Sequence, residues 1–189
     1  MKQNIEISEI ATLPTKNGTF KIQAFKDGCQ EHLAIFTDPL PEIPMVRVHS
    51  ECVTGDVFGS QKCDCGSQLD ATMQMIAKCG GMLIYHRQEG RNIGLVNKVN
   101  AYALQDQGYN TVEANEHLGF RPDERTYGAI DFILEHFNLK KIKLITNNPS
   151  KIANIKSAEI VERISMITEP TECNKKYLNV KKEQMGHML

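Results

Sequence analysis

The stretch MVRVHSECVTGDVFGSQKCDCG, residues 45–66, joins an apolar strand pattern to three cysteines, and the rest of the chain is organised around it. Cys52, Cys63 and Cys65 follow the spacing Cys-x10-Cys-x-Cys, and no Cys-x-x-Cys pair elsewhere could complete a four-cysteine site. Thiolates suit Zn²⁺, and a zinc ion with three protein ligands keeps one position open for water, as catalytic zinc does. The spacing therefore predicts a metal site. Two alternatives stay open: three buried free cysteines, or one disulfide with a cysteine left over.

Length and charge restrict the domain count and the partners. The chain has 189 residues, 41% of them apolar, which is enough for one good core and too short for two. We therefore expect a single domain over residues 1–189. Basic residues number 22 and acidic residues 23, so the net charge is −1. A nucleic-acid-binding domain usually carries a basic excess, so no nucleic-acid partner is expected.

The N-terminus and the cysteine content indicate a compartment. Met1–Glu6 begins no apolar run resembling a signal peptide, and no window approaches the length of a membrane span. The sequence therefore predicts a cytoplasmic protein with no membrane partner. Six cysteines in that compartment indicate reduced thiols, metal ligands or catalytic groups. Cys29, Cys79 and Cys173 lie far from the others, and we expect ordinary buried or half-buried thiols there.

The N-terminal part, about residues 1–48, has the pattern of a β-rich unit. Residues 6–13 roughly alternate and predict a first strand. Asn17-Gly18 predicts a hairpin with a type I′ turn, because both residue types tolerate positive φ. Further strands are predicted at Leu33–Phe36 and Met45–Val48.

After residue 60 helical and strand periods alternate, which predicts an α/β catalytic part over about residues 49–170 and a tail at 171–189. Helices are predicted at 67–79, 95–107, 127–138 and from Pro149. Strands are predicted at Met82–Tyr85, Lys141–Ile145 and Val161–Ile167. Residues 109–126 are polar and predict an irregular functional loop, and the tail from Glu172 predicts partial helix. The fold class is therefore α/β or α+β, with a mixed β-sheet flanked by helices.

Apolar residues recur on one side of each predicted helix. The expected sets are Leu69, Met73, Ile76 and Ala77; then Leu95, Val99, Tyr102 and Ala103; then Ile130, Ile133, Leu134 and Phe137.

No glycine-rich phosphate motif is present, neither Gly-x4-Gly-Lys-Ser/Thr nor Gly-x-Gly-x-x-Gly, so separate side chains would have to hold a phosphate. Arg47, Arg91 and Lys151 lie near the ends of strand patterns, where ligands of open α/β sheets gather. Arginine offers phosphate a planar fork and lysine a point charge, and Thr111 and Thr146 could add hydroxyl donors. Any one of them taken alone could equally be a solvent-facing charge or a turn hydroxyl.

Other polar residues have two possible roles each. Glu89 could accept hydrogen bonds from guanine N1–H and the exocyclic amine, and Gln68 could pair with O6 or N7, although neither identifies guanine by itself. Asp123 and Arg125 could be a surface ion pair. Tyr102 could be a core tyrosine or a proton donor near the metal.

Six motifs follow one another along the chain: RVHSEC at 47–52, CDCG at 63–66, YHRQEGRNIG at 85–94, AYALQ at 101–105, DER at 123–125 and TNNP at 146–149. Together they resemble the GTP cyclohydrolase II family of riboflavin biosynthesis. The resemblance covers about residues 45–187, including the late Tyr177-Leu178 and Gly186-His187. It implies the stand-alone form of the enzyme, without the extra domain of the fused forms.

The resemblance implies a hydrolase acting on GTP. Pyrophosphate is released, C8 of guanine leaves as formate, and 2,5-diamino-6-hydroxy-4-(5-phosphoribosylamino)pyrimidine is formed, as the first step of riboflavin biosynthesis. Cys52, Cys63 and Cys65 match the family's ligands to one zinc ion per chain, Mg²⁺ is expected on the triphosphate, and a homodimer is implied. The positions that match GTP-contacting residues are Arg47, Val48, His49, Ser50, Glu51, Gln68, Glu89, Gly90, Arg91, Thr111, Thr146 and Lys151.

The resemblance also implies catalytic roles. Asp123 and Arg125 match a proton acceptor and a nucleophile toward the α-phosphorus. Because a guanidinium stays protonated at ordinary pH, Arg125 could instead neutralise charge on the leaving pyrophosphate. Three thiolates leave the zinc core at a charge of −1, so we expect His49 or Tyr102 to donate toward developing negative charge.

Two other functions compete with this hypothesis. A partial enzyme would use the same pocket and release only pyrophosphate or the formylated product. A zinc-stabilised nucleotide- or RNA-binding module would need four metal ligands and a basic face, whereas the sequence has three clustered cysteines and a near-neutral charge.

Overall fold

One mixed sheet of eight strands runs through the computed structural model, which describes residues 5–169, 171, 174, 178–180, 182–183 and 186–188. The strands are β1 (Glu6–Ile7), β2 (Ala11–Thr15), β3 (Gly18–Asp27), β4 (Gln30–Phe36), β5 (Met45–Ser50), β6 (Gly81–His86), β7 (Lys141–Ile145) and β8 (Glu159–Ile164). Their order is β1-β3-β4-β6-β5-β7-β8, and β2 pairs with β3. The predicted mixed sheet is confirmed, although the single strand expected at residues 6–13 is divided into β1 and β2.

The antiparallel part of the sheet consists of β1 to β4, and β4 pairs antiparallel with β6. The predicted hairpin joins β2 to β3, but its turn is formed by Lys16 and Asn17. Asn17 has no positive φ, and the following Gly18 has a φ of 140°. The Thr15 hydroxyl accepts a hydrogen bond from the Asn17 N–H at 3.1 Å and stabilises this turn. The prediction of a type I′ turn at Asn17-Gly18 is therefore wrong.

Strands β5 to β8 run parallel, and helices connect them. The helices are α1 (Val53–Asp56), α2 (Cys65–Cys79), α3 (Glu89–Asn92), α4 (Gly94–Asp106), α5 (Thr111–His117), α6 (Gly128–His136) and α7 (Pro149–Asn154). The Asn148 side chain caps α7 and Pro149 occupies its first turn, as predicted. Because the strands are parallel, the C-terminal ends of β5, β6 and β7 meet at one side of the sheet.

Side chains of β6 alternate between two layers of core. Ile84 faces α6, where it belongs to a cluster with the fully buried Ile130 and Ile133. Leu83 faces the opposite way and packs with Ile76 of α2. Since successive residues of a strand point to opposite faces, helices cover both sides of the central strands.

Helix α5 lies in the segment for which an irregular loop was predicted. Its N-terminus is a capping box, in which the Asn110 side chain accepts from the backbone N–H groups of Val112 and Glu113 and the Glu113 carboxylate accepts from the Asn110 N–H. The pair Asn110 and Glu113 was visible in the sequence as a helix start.

The apolar side predicted for α4 does not face the core. Leu95, Val99 and Ala103 are exposed, whereas Lys98 and Ala101 are the buried residues of this helix. The helix packs against the cavity described below rather than against the sheet, so its buried side is partly polar. Ala77, expected on the buried side of α2, is also exposed.

Several smaller predictions are corrected as well. Cys29 and Cys79 are exposed, because Cys29 lies in the turn between β3 and β4 and Cys79 ends α2. Cys173 lies outside the described residues. The last strand ends at Ile164 rather than Ile167, and the tail has helical residues at 178–180 and 182–183. In the described part of the chain, every helix is too short or too polar to cross a membrane.

Candidate active site

A cavity opens where the C-terminal ends of the parallel strands meet, and nearly all predicted site residues line it. Those in the lining are Arg47, His49, Ser50, Glu51, Cys52, Cys63, Cys65, Gln68, Glu89, Gly90, Arg91, Tyr102, Thr111, Arg125, Thr146 and Lys151. Val48 is not in the lining, and its carbonyl accepts a hydrogen bond from Lys151 Nζ at 2.6 Å. Asp123 is not in the lining either, but its carboxylate pairs with Arg125.

Cys52, Cys63 and Cys65 converge on one wall of the cavity and are called the cysteine cluster below. Cys52 lies between β5 and α1, and Cys65 is the first residue of α2. The three Sγ atoms lie within 4.8 Å of one another, and those of Cys52 and Cys63 are 3.6 Å apart. All three are free thiols. Within the described residues this is the one group of His, Cys, Asp or Glu arranged to hold a metal ion.

Two glycines allow the cysteine cluster to form. A Cβ atom on Gly55 would lie 2.8 Å from the Cys63 Sγ and 3.2 Å from the Cys52 Sγ. A Cβ atom on Gly66 would collide with the carbonyl oxygen of Gly55. A larger residue at position 55 would therefore displace the sulfur atoms, and one at position 66 would push α2 away from the backbone of Gly55.

Lys98 is a buried cation beside the cysteine cluster. Its Nζ lies 3.1 Å from the Cys52 Sγ and 2.7 Å from Glu89 Oε1. The pKa of the Cys52 thiol lies well below its usual range, because hydrogen bonds from Cys63 and Cys65 and the nearby ammonium favour the thiolate. Burial lowers the pKa of Lys98, but Glu89 and Cys52 outweigh burial and raise this pKa above its usual value. Lys98 therefore faces the sulfur as a cation.

Asp56 organises the other side of Cys52. Its buried carboxylate accepts hydrogen bonds from the Cys52 N–H at 3.0 Å, the Tyr85 hydroxyl at 2.7 Å and His49 Nε2 at 3.1 Å. Burial lowers the pKa of His49, so its imidazole is neutral at pH 7 and donates from Nε2. This network fixes the ring of His49, which also stacks on Tyr85.

Tyr102 reaches the cysteine cluster through a threonine. Its hydroxyl lies 3.2 Å from Thr54 Oγ1, which in turn lies 3.6 Å from the Cys52 Sγ. Burial raises the pKa of Tyr102, so the phenol keeps its proton. This position suits a hydrogen-bond donor at the cavity wall. The alternative interpretation of Tyr102 as a core tyrosine does not agree with its place in the cavity lining.

Arg47, Arg125 and Lys151 form the basic cluster, and each lies on strand β5 or bonds to it. Arg47 donates to the carbonyl of Ile145 at 3.0 Å and to Gln68 Oε1 at 2.5 Å. Burial lowers the pKa of Arg47 to about 10, which still leaves it charged at pH 7. Lys151 donates to the β5 backbone, as given above.

The guanidinium of Arg125 is held on two sides. It donates to both oxygens of Asp123, from Nε at 2.9 Å and from Nη2 at 2.5 Å, and Nη1 donates to Ser50 Oγ at 3.0 Å. Burial raises the pKa of Asp123, but the hydrogen bonds and charge of Arg125 outweigh burial and lower this pKa below its usual range. Both partners are therefore ionised near pH 7.

The turn of α3 presents Glu89 and Arg91. Gly90, Arg91 and Asn92 all have positive φ, at 61°, 61° and 75°. Asn92 accepts from Gln30 Nε2 at 2.8 Å, and the Arg91 carbonyl accepts from the Glu124 N–H at 3.1 Å. These contacts tie the turn to β4 and to the segment that carries Arg125.

Several residues of the cavity lining, or close partners of lining residues, were not predicted as site residues from the sequence. They are Lys98, Thr54, Asp56, Lys62, Asp64, Asn147 and His187. Lys98 carried a usable signal, because it shares a helical side with Ala101 and Tyr102 and is the one charged residue there. Asp56 carried none, since its partners Tyr85 and His49 lie in other elements.

The donor set fits a zinc ion. Three thiolates at these separations are soft ligands for one ion, and the buried ammonium of Lys98 compensates part of their charge.

Comparisons with known proteins show the family of the chain. The sequence profile of GTP cyclohydrolase II matches residues 6–165. GTP cyclohydrolase-2 of Campylobacter fetus is 58% identical over 96% of this chain and 95% of its own, and that of Campylobacter hominis is 53% identical over 98% and 96%. GTP cyclohydrolase-2 of Helicobacter acinonychis is 54% identical over 99% of this chain and all of its own.

Several solved chains match the fold, and one of them is given as an example. It is RibBX of A. baumannii, a two-domain 3,4-dihydroxy-2-butanone 4-phosphate synthase, with a TM-score of 0.50 at 18% identity. The match covers 89% of this chain and 41% of that one, and it shows a likeness of fold alone. On the profile match and the relatives that span almost its whole length, the chain belongs to the GTP cyclohydrolase II family of hydrolases.

Proposed function

We propose that this enzyme hydrolyses GTP by opening the guanine imidazole ring, with release of formate from C8 and of pyrophosphate, and so begins riboflavin biosynthesis. The product is 2,5-diamino-6-hydroxy-4-(5-phosphoribosylamino)pyrimidine. The observation that carries the proposal is one cavity lined by both the cysteine cluster and the basic cluster. A soft metal site and a set of cations suit the two ends of a purine nucleoside triphosphate.

Cys52, Cys63 and Cys65 would hold one zinc ion at the C8 end of the substrate. A zinc ion held there supplies water of lowered pKa for hydrolysis at C8 and of the resulting formamide. The protein side chains around it orient the reacting groups. Tyr102 donates its phenolic proton toward negative charge that develops on oxygen at C8, and Asp56 holds His49 in one orientation beside it.

The basic cluster would bind the triphosphate. Arg47, Arg125 and Lys151 are already oriented by backbone carbonyls or side chains, so little reorganisation accompanies binding. Thr146, Thr111 and Arg91 line the same cavity and add donors. Mg²⁺ would enter with the triphosphate as part of the substrate and shield its charge.

For Arg125 the ion pair with Asp123 favours an electrostatic role over a nucleophilic one. An ionised carboxylate bonded to two nitrogens stabilises the charged guanidinium, and a charged guanidinium has no lone pair for attack at phosphorus. Arg125 then neutralises charge on the departing pyrophosphate. Peptide mapping of enzyme quenched during turnover tests this role, since a guanylylated Arg125 peptide would contradict it.

Guanine would be read by polar groups between the two clusters. Gln68 bridges Arg47 and Asp64, which fixes its amide. Glu89 already accepts from the N–H groups of Val53 at 2.7 Å and Gly90 at 2.8 Å and from Lys98. Its carboxylate has about four acceptor positions, so one remains for a guanine N–H.

The decisive assay measures formate and pyrophosphate separately, with purified protein, GTP, Mg²⁺ and Zn²⁺. Release of both in equal amounts is expected. Pyrophosphate without formate would identify the partial enzyme, and binding of GTP with neither product would identify a binding module.

We further propose that the enzyme works as a homodimer. Four large apolar side chains are exposed: Val57 and Phe58 after α1, and Val96 and Val99 of α4. Exposed apolar side chains of this kind commonly form an interface with a partner. Light scattering should give twice the chain mass, and Val96→Asp should shift the protein toward monomer. Val161→Asp, on exposed β8, is the matched control; a monomeric wild type would contradict the proposal.

A further inference from the structure

Lys98 is buried at a position where a lysine is not expected to stabilise the fold. It lies in the middle of α4, is 8% exposed, and donates to a sulfur atom and a carboxylate. A buried ammonium is unfavourable unless charged partners compensate for the lost hydration. Both partners here belong to the site, Cys52 to the cysteine cluster and Glu89 to the turn of α3.

Glu89 extends this contact to the backbone around Cys52. One carboxylate oxygen accepts from the Val53 N–H, the residue directly after Cys52, and the other accepts from Gly90 and from Lys98. Lys98 and Glu89 therefore hold Cys52 from two directions, through its sulfur and through its neighbouring peptide. The same pair fixes the start of the turn that carries Arg91.

We propose that Lys98 is a positioning residue of the metal centre, which holds the Cys52 sulfur by a charged hydrogen bond and, through Glu89, locks that ligand to the substrate-binding turn. The inference rests on the proposed zinc site. With three thiolates on Zn²⁺ the core carries a charge of −1, and the ammonium of Lys98 lies between this core and the Glu89 carboxylate and offsets part of their combined negative charge. A hydrogen bond to sulfur also reduces the electron density that this ligand gives to the ion.

The test compares Lys98→Met with Lys98→Arg and with Lys141→Met. Lys141 makes an ion pair with Glu159 at 3.5 Å on the surface, far along the chain from the cysteines, so it controls for loss of a lysine–glutamate pair. Zinc affinity is measured by competition with a chromophoric chelator. Lys98→Met should bind zinc roughly 10- to 100-fold more weakly, Lys98→Arg should lie between it and the wild type, and Lys141→Met should match the wild type.

A second measurement reads the hydrogen bond directly. In Co²⁺-loaded protein, the thiolate-to-cobalt charge-transfer band should move to longer wavelength in Lys98→Met, because a sulfur without the hydrogen bond gives up electrons more readily. Lys98→Arg keeps a donor and should keep most of the wild-type band. If Lys98→Met does not fold, the arginine variant and Glu89→Gln carry the same comparison, with a smaller band shift expected.

The outcomes separate this inference from the proposed function. A wild type that binds no zinc contradicts the metal centre and the inference together. A wild type that binds zinc, with Lys98→Met equal to it in affinity and spectrum, contradicts the role of Lys98 alone.

Discussion

The cysteine cluster comes from fourteen consecutive residues, Cys52 to Cys65, whereas the basic cluster draws Arg47, Arg125 and Lys151 from three distant parts of the chain. Their surroundings differ in the same way. The sulfur atoms are adjusted by local backbone, with Gly55 giving them room and α1 and α2 setting their directions. The cations are held by long-range bonds to other elements: Arg47 and Lys151 donate to backbone carbonyls, and Arg125 donates to the Ser50 hydroxyl. Arg125 has in addition its local pair with Asp123.

This difference indicates a division of work. The cysteine cluster is negative and soft, with Lys98 as its buried counter-charge, so it suits a metal ion. The basic cluster is positive and already oriented, so it suits an anion whose charge is spread over several oxygens. If the division is real, damage to one cluster should leave part of the chemistry of the other.

The largest expected effect is that of Cys63→Ser on formate release. On the proposed function, loss of one thiolate would remove the metal that supplies water at C8, and formate release should fall by at least about 10³-fold. Pyrophosphate release should fall far less, because the basic cluster is intact. Separate assays of the two products check this.

Cys79→Ser is the control for the loss of a thiol, since Cys79 is exposed at the end of α2 and should have wild-type activity. Unchanged formate release from Cys63→Ser would overturn the proposed function. Equal loss of both products would show that the clusters do not act separately.

Arg125→Lys should damage the basic cluster and leave the cysteine cluster intact, the reverse of Cys63→Ser. Lysine keeps the charge but cannot reproduce the two bonds to Asp123 and the third to Ser50, so pyrophosphate release should fall roughly 10²- to 10³-fold. Zinc content should stay at the wild-type level. Arg121→Lys, in an exposed pair with Glu124, is the matched control and should stay within about twofold of wild type. Loss of zinc from Arg125→Lys would break the comparison.

Gly55→Ala tests whether the cysteine cluster depends on the space left by this glycine. The added methyl would approach two sulfur atoms, and we expect zinc affinity to fall roughly 10- to 100-fold with a small change in unfolding temperature. Gly28→Ala is the contrast, because its Cβ meets open space but its φ of 60° is unfavourable for alanine. It should lose about 1 kcal/mol of stability and bind zinc normally. Normal zinc affinity in Gly55→Ala would contradict the packing argument.

The prediction least tied to the two clusters concerns the stability of the fold and His86, which pairs with Ser50 in the sheet. Burial, together with His32, Lys151 and Arg125, lowers the pKa of His86 to about 2. Because a histidine of the unfolded chain takes up its proton near the usual pKa of 6.5 and the folded protein does not, stability falls as the pH drops below that value. The loss between pH 7 and pH 5 is about 2 kcal/mol.

His86→Leu should remove this part of the pH dependence. Neither ring nitrogen of His86 has a hydrogen-bond partner among the described residues, so the substitution breaks no polar contact seen there. Urea unfolding at pH 7 and pH 5, under identical metal conditions for both proteins, gives the measurement. An equal loss in the variant and the wild type would rule His86 out as the source.

Elements with strong periodicity were predictable from the sequence. The helix with Ile130, Ile133 and Leu134 and the strand Lys141–Ile145 are confirmed, because their burial follows directly from the apolar pattern. Helix α4 was placed correctly but oriented wrongly. Its inner side contacts a polar cavity, and periodicity alone cannot distinguish a core from a cavity or from an exposed apolar surface.

The candidate site shows the same limit. The cysteine cluster could be inferred from spacing, since its ligands are close in sequence. Lys151 could be proposed from its position after a strand pattern, whereas Arg125 needed the family resemblance, because nothing in the local sequence indicates that it reaches β5. Lys98 and Asp56 were missed, since their roles depend on contacts that form only when the chain folds.

The pairing of β4 with β6 has a practical consequence. Residues Leu33–Phe36 pair with Met82–Tyr85, an apolar strand that leads into the turn of α3. A shortened chain beginning at Met45 would leave one flank of that strand with open amide and carbonyl groups, which invite pairing between molecules and aggregation. Strands β1 to β4 contribute no residue to the cavity lining. They nevertheless protect the parallel part of the sheet from aggregation by covering this edge.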